Sequence, residues 1–377
     1  MKQQDTQRRP TLLAAQIAKR IRSEGPLPVA EYMRVCLHDP AHGYYRTQQA
    51  IGSSGDFITA PEIAQVFGEL IGLWCAVVWQ QMGAPSTLNL IELGPGRGTL
   101  MRDALRAVRA VPGFRDAITV HLVESNATLV EQQRATLDQE TVPIHWRDDM
   151  EESRNNVPTI VVANEFLDTI PIGQWVFRGE CWRKRCVGLN DAGQLAFADG
   201  DADAELHLTS GLDATPREGN IFETRSPALA ALFSTLADLG PPSTALLIDY
   251  GHAAPGFGDT LQGIRAHRYE DPLCAPGEAD LTAQIDFVAL ANAMRGGGFS
   301  VDGPVTQAEF LGSLGIVERA SHLIHANPQL ATSIEGAVAR LMAPNGMGTR
   351  FKAIGVRSPG LPPLPGLAQV DNGPAHP

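Results

Sequence analysis

The chain has 377 residues, a length that suits two domains or one with large insertions, and 44% hydrophobic content, ample for a folded core. A formal net charge of −12 with no concentrated basic stripe argues against a nucleic-acid partner. It is compatible with a basic substrate such as an exposed arginine or lysine, and equally with an ordinary acidic protein. No stretch approaches the roughly 20 apolar residues of a membrane span, and the opening MKQQDTQRRP has no apolar signal region. The five cysteines (Cys36, Cys75, Cys181, Cys186 and Cys274) form no C-x-x-C pair, and no H-E-x-x-H is present. The expectation is a cytoplasmic protein in a reducing compartment, without a metal site.

In chain order, residues 11–36 carry apolar positions at helical spacing: Leu12, Leu13, Ile17 and Ile21, then Val29, Tyr32, Met33 and Cys36. Gly25, Pro26 and Pro28 break the run, so two amphipathic helices are predicted. Residues 38–62 are dense in Gly, Pro, Asp, Ser and aromatics and read as a long irregular loop, functional or disordered; Tyr44, Tyr45 and Phe57 argue against disorder. Asp56, Thr59 and Glu62 are its candidate polar contacts, although Thr59-Ala60-Pro61-Glu62 also matches a capping box. A helix over 61–82, apolar nearly all round and so buried, follows.

Leu88 to Arg102 (LNLIELGPGRGTLMR) reads as a buried strand, a glycine turn and a helix start. Glycine serves where the backbone must turn sharply or approach a ligand, and the helix beyond aims its unpaired N–H groups over the turn. A dinucleotide fingerprint would need a third glycine where Thr99 stands, and Glu92 would repel a pyrophosphate, so an NAD-dependent oxidoreductase is disfavoured. Glu92-x-Gly94-x-Gly96-x-Gly98 instead resembles motif I of the S-adenosylmethionine (SAM) methyltransferases. SAM is cationic, so the carboxylate is favourable there.

A second strand, Ile118 to Val123, ends at Glu124, where nucleotide-binding α/β folds place the acid that holds ribose hydroxyls. A helix over 126–138 and a short strand, Val142 to Trp146, lead to Asp148 and Asp149, either of which suits an adenine amine. The fourth strand, Thr159 to Ala163, is a run typical of parallel strands covered on both faces, and ends in Asn164-Glu165-Phe166-Leu167-Asp168. Residues 172–225 read as a β insertion that opens with a hairpin. Helix 227–239 precedes a strand over 245–248 ending in Asp249-Tyr250-Gly251-His252. Residues 253–280, with Arg265, His267 and Asp280, read as irregular, 282–295 and 306–342 as helical, and Phe351 to Val356 as the last strand. Gly94–Gly98, Glu124, Asp148, Asn164 and Glu165 would share the carboxyl edge of the sheet, where ligands of open α/β folds bind.

GDFITAPE, ELGPGRGTLMRD, NEFLDTIP and IDYG together resemble the MidA family of SAM-dependent methyltransferases, whose mitochondrial branch is a complex I assembly factor methylating an arginine of a core subunit. The resemblance runs from YMRVCLHDPAHGYY through GDTLQGIRAHR, DLTAQIDF and FLGSLGI to MGTRFKAIGV. ECWRKRCVGL departs from the W-x-E-R-x-V associated with the family, which puts a substrate-side acid there in doubt. The implied fold is α/β: a Rossmann-like class I methyltransferase sheet with an N-terminal helical extension, a β insertion and a C-terminal helical insertion. Its expected division is 1–84 for helices and loop, 85–357 for the SAM-binding core with insertions at about 172–225 and 253–345, and 358–377 for a flexible tail. SAM would be held by Glu92, Gly94, Gly96, Gly98, Glu124, Asp148, Asn164 and Thr59. A carboxylate is needed to grip a guanidinium; Glu165 is the first choice, with Asp168 and Asp249 in reserve. By analogy the substrate is a protein arginine, of a respiratory complex I subunit. The alternative is a non-catalytic SAM-binding assembly or chaperone factor. Oligomeric state is left open, a homodimer included.

Overall fold

The computed structural model describes residues 10–47, 59–206, 208, 212, 214–266 and 268–367. Asp56, Phe57 and His267, singled out from the sequence, lie outside the described residues. The chain divides into two compact units that do not follow sequence order: Met1–Phe57, Thr169–Arg225 and Gly256–Ala283 form one, and Ile58–Asp168, Ser226–Pro255 and Gln284–Pro377 the other. The division expected at 84/85 is therefore displaced, because the helix Gln65–Gln81 packs within the second unit.

That second unit is built on a sheet of strands β1 (Leu88–Leu93), β2 (Ile118–Val123), β3 (Ile144–Arg147), β4 (Thr159–Asn164), β5 (Ser243–His252), β6 (Ser300–Thr306) and β7 (Phe351–Arg357). Their spatial order is β3-β2-β1-β4-β5-β7-β6, and a two-residue strand, Ile285–Asp286, adds to the end of β5. The first five run parallel, with β7 antiparallel to β5 and β6 antiparallel to β7. The chain order reverses between β1 and β4, which is where open α/β sheets leave a crevice at the strand ends. β1 and β4 are buried along their whole length, as continuous apolar strands covered on both faces should be.

The long apolar helix is present as Gln65–Gln81, but the helix expected to start at 61 is broken. Ala60–Ile63 is a separate turn, and Ala64 between them is extended (φ −149°, ψ 123°). Gln65–Gln81 packs closely on the helix Thr99–Ala107 because it presents glycine there. A Cβ on Gly72 would come within 2.6 Å of Ala104 Cα, and one on Gly68 within 2.8 Å of Asp103 Cβ. Leu70, Trp74, Leu100 and Leu105 of these helices join Leu90, Val120, Val162 and Leu246 of the sheet in one apolar core. The tail expected to fray from 358 is corrected over 358–367. Leu364 and Leu367 are buried in that core, and Trp74 Nε1 donates to Pro365 O at 3.0 Å.

The first unit holds the helices Leu12–Glu24 and Val29–His38, close to those expected. The hairpin read from the sequence is Gly173–Arg178 against Cys181–Leu189, turning through Gly179 and Glu180, both at positive φ. Leu27–Pro28, Leu195–Ala202 and Ile221–Thr224 complete a five-stranded sheet. Part of the stretch read as irregular is a second sheet, of Gln262–Arg265, Arg268–Glu270 and Asp280–Thr282. Leu13, Ile17, Tyr32, Met33, Val187 and Leu281 share this unit's core.

Candidate active site

The turn after β1 is built by its glycines. Gly94, Gly96 and Gly98 all have positive φ (63°, 54° and 79°), a region that side chains with a Cβ rarely enter. A Cβ on Gly94 would also stand 2.9 Å from Phe166 Cδ2, so the turn lies hard against the chain leaving β4. Gly98, left-handed, starts the helix Thr99–Ala107. Glu92 is buried at the end of β1. Its Oε2 has no hydrogen-bond partner among the described residues, and burial pushes its carboxyl up to about 8. A buried, unpartnered carboxylate below a glycine turn is short of a cation.

Glu124 follows β2 as expected. Its Oε1 accepts from the Asn126 N–H at 2.8 Å and its Oε2 from Gln133 Nε2 at 3.3 Å. Gln133 was not singled out from the sequence. It is fully buried and also donates to Gly96 O at 2.8 Å, while its Oε1 accepts from Trp146 Nε1 at 2.9 Å. One amide thus fixes the glycine turn, the acid after β2 and strand β3. Nothing in the periodicity marks it, since a glutamine in a polar helix usually faces water. The two aspartates after β3 are both exposed at the strand's end, and Asp149 accepts from the Glu152 N–H at 3.2 Å.

At the end of β4 the chain turns sharply through Glu165, whose φ is +52°. That left-handed conformation costs a residue with a Cβ roughly 1–2 kcal/mol and persists where the surroundings over-determine it. The Glu165 N–H donates to Ile248 O of β5 at 2.9 Å. Glu165 Oε1 accepts from the Ala60 N–H at 2.8 Å and from Asn164 Nδ2 at 3.1 Å, and among the described residues Oε2 takes no hydrogen bond. Burial, with Asp168 adding to it, pushes the Glu165 carboxyl up to about 7 against the pull of the Ala60 N–H. Asn164 Oδ1 is buried without a partner among the described residues.

Asp249, a reserve acid, is fully buried and engaged by the backbone. Its Oδ2 accepts from the N–H groups of Leu167 (2.9 Å) and Asp168 (3.1 Å), and its Oδ1 from Tyr250 (2.8 Å). Burial, then the nearby Asp168 and Glu165, hold its carboxyl well above the usual carboxylate range. Its geometry is that of a support for the Glu165–Asp168 turn. Asp168 is itself buried above it.

The capping box at Thr59 is not made. Thr59 occupies the N-cap position, but its side chain makes no capping bond. Glu62 reaches away instead, accepting from Thr99 Oγ1 at 2.5 Å and facing Arg97 Nη1 at 3.5 Å. The first N–H of the helix, on Ala60, which an N-cap side chain does not serve, is taken by Glu165.

The residues present fit SAM. The orphaned Glu92 oxygen suits a positive charge, the glycine turn brings backbone within reach of a ligand, and Glu124 stands where ribose hydroxyls are held. Among the described residues no cluster of His, Cys, Asp or Glu could hold a metal ion, and no helix is long and apolar enough to cross a membrane.

A sheet in the order β3-β2-β1-β4-β5-β7-β6, five parallel strands extended by the antiparallel β7 and β6, with this turn at its switch point defines a SAM-dependent methyltransferase. A family model of S-adenosyl-L-methionine-dependent methyltransferases matches residues 70–305, and the chain belongs to that family. It is 34% identical to the Danio rerio protein arginine methyltransferase NDUFAF7, mitochondrial, over 90% of this chain and 85% of that one. With the human protein of the same name it shares 34% identity, over 88% of this chain and 80% of that one. A Burkholderia thailandensis protein solved with S-adenosyl-homocysteine bound is 29% identical and superposes with a TM-score of 0.81, over 94% of this chain and 93% of that one. The cytoplasmic expectation is overturned, because the curated relatives are mitochondrial. Sparse cysteines speak to redox state, which does not separate the cytosol from an organelle.

Proposed function

We propose that the chain methylates an arginine side chain of a protein, with Glu165 receiving the guanidinium. Bound SAM supplies the electrophilic methyl and leaves as a neutral thioether. The observation that carries the reading is the Glu165 carboxylate: it follows β4, next to the Phe166 that packs on Gly94, and has Oε1 anchored and Oε2 open. A guanidinium is a poor nucleophile because its lone pair is delocalised. A carboxylate that grips it localises charge on one nitrogen and orients the other, and most of the remaining task is alignment. Glu92, Gly94, Gly96, Gly98, Glu124, Asn164, Asp148 and Thr59 are assigned to SAM, and Asp168 and Asp249 to holding the Glu165 turn. The names of the curated relatives support protein arginine as the acceptor, and the MidA resemblance narrows it to a respiratory complex I subunit.

Glu165 must be ionised to grip the cation, so transfer rises with pH through about 7 and falls below it. The test is radiolabelled SAM with cell lysate, followed by mass spectrometry of the labelled band. A band labelled on arginine by the parent protein, and lost with Glu165→Gln while calorimetry still detects SAM binding, is the expected result. No labelled band with the parent protein would favour a SAM-binding assembly factor without turnover.

A further inference from the structure

The short helix Ala60–Ile63 has one hydrogen bond at each of two places that matter. Glu62 is held by Thr99 Oγ1 at 2.5 Å, the first residue after the glycine turn, with Arg97 of the turn 3.5 Å away. The first N–H of the same helix, on Ala60, donates to Glu165 Oε1 at 2.8 Å. Ala64 then breaks away from helical geometry, so these four residues are not an extension of Gln65–Gln81. Ala60 and Ile63 pack on the apolar core, and these hydrogen bonds tie the turn to the two sites.

We propose that Glu62 is a positioning residue for Glu165: by gripping Thr99 and Arg97 it fixes the Ala60–Ile63 helix on the glycine turn, and the Ala60 N–H then fixes the acid. The inference rests on Glu165 as the acceptor-gripping acid and names what aims it. It also joins the two halves of the reaction, since the turn assigned to SAM and the carboxylate assigned to the acceptor are linked through four residues.

The groups facing Glu165 are known. Asp168, from its own turn, opposes ionisation, and Asp249, from β5, is itself raised by Glu165. Arg340, from the helix Ala331–Met342, and Asn164 favour it, and the Ala60 N–H favours it more than either. A hydrogen bond to the ionised form that is loosened lets the carboxyl drift upward.

The Ala60 amide reports this directly, with no acceptor needed. In the 15N-labelled protein its resonance is followed against pH by NMR. The parent shows a titration with its midpoint near about 7, and Glu165→Gln abolishes it. Glu62→Ala and Thr99→Val each move the midpoint up by about one unit. Glu62→Gln, which keeps an amide oxygen for the Thr99 hydroxyl, stays close to the parent. Should Glu62→Ala fail to fold, Thr99→Val carries the comparison alone. A midpoint unmoved by the folded variants overturns the role of Glu62. If instead the midpoint moves but Glu165→Gln still labels arginine in the radiolabel assay, the coupling holds and the assignment of Glu165 to the acceptor fails.

Discussion

The Glu92 carboxylate lies at 3% exposure with Oε2 unpartnered, and burial alone raises it to about 8. An acid raised in the fold above its unfolded value contributes stability that is whole below the unfolded value and is lost as pH climbs through the folded one. The protein without ligand should therefore weaken as pH rises from about 5 through about 8. Glu92→Gln removes the titration but keeps the shape. Its melting temperature should exceed the parent's at about pH 8–9 by about 3 °C or more and converge with it near about pH 5. Calorimetry at about pH 8 should at the same time show SAM binding weakened by about tenfold or more, because a cation has lost its buried partner. Equal melting curves at both pH values would mean the carboxylate does not titrate where its burial requires. This residue was legible from the sequence because carboxylate and glycines share one spacing. Its orphaned oxygen was not, because burial of a strand end depends on what the helix Gln65–Gln81 covers.

Elements were legible to the extent that one rule dominated them. β4 and β5 read clearly because an apolar run bounded by polar residues has few other uses. β6 was missed: Gly303 and Pro304 interrupt it, and its pairing with β7 shifts register between Asp302 and Val305, so no alternation survives. The capping box at Thr59 was a correct textual match defeated by a tertiary contact, since Thr99 claims the Glu62 carboxylate that would have closed it. Gln133 belongs here too, because its three contacts lie on three different elements. Gln133→Leu keeps the volume and removes the amide, leaving the Gly96 carbonyl, Glu124 and the Trp146 N–H each short of a partner. Buried groups left so cost about 1–3 kcal/mol each, so SAM affinity by calorimetry should fall by about tenfold or more with secondary structure retained. An unchanged affinity would show that the glycine turn holds its shape without β3 and the helix Ala127–Thr136.

Across the whole chain, the division into units could not be read from composition, because both units are assembled from three separated stretches. The C-terminal stretch shows how composition misleads at this scale. Its prolines and glycines suggested fraying, yet it closes the core of the second unit. Gly355 of β7 has no side chain, and Leu364 and Leu367 fill the space: a Cβ there would lie 2.5 and 2.6 Å from their Cδ1 atoms. The Leu364 N–H donates to Asp302 Oδ2 at 3.0 Å, and Arg357 Nη1 donates to Leu361 O at 2.6 Å, so the segment is fastened to β6 and β7. Ending the chain at Ser358 exposes this seam and removes the acceptor of Trp74 Nε1. Two buried leucines contribute about 3–6 kcal/mol together, and the truncated protein should show that loss as a lower midpoint in urea. Leu364→Ala combined with Leu367→Ala in the full chain should reproduce most of it, which separates packing from the hydrogen bonds. A truncated protein with the parent's midpoint would show that the core of the second unit is complete at β7, and that the leucines merely rest on it.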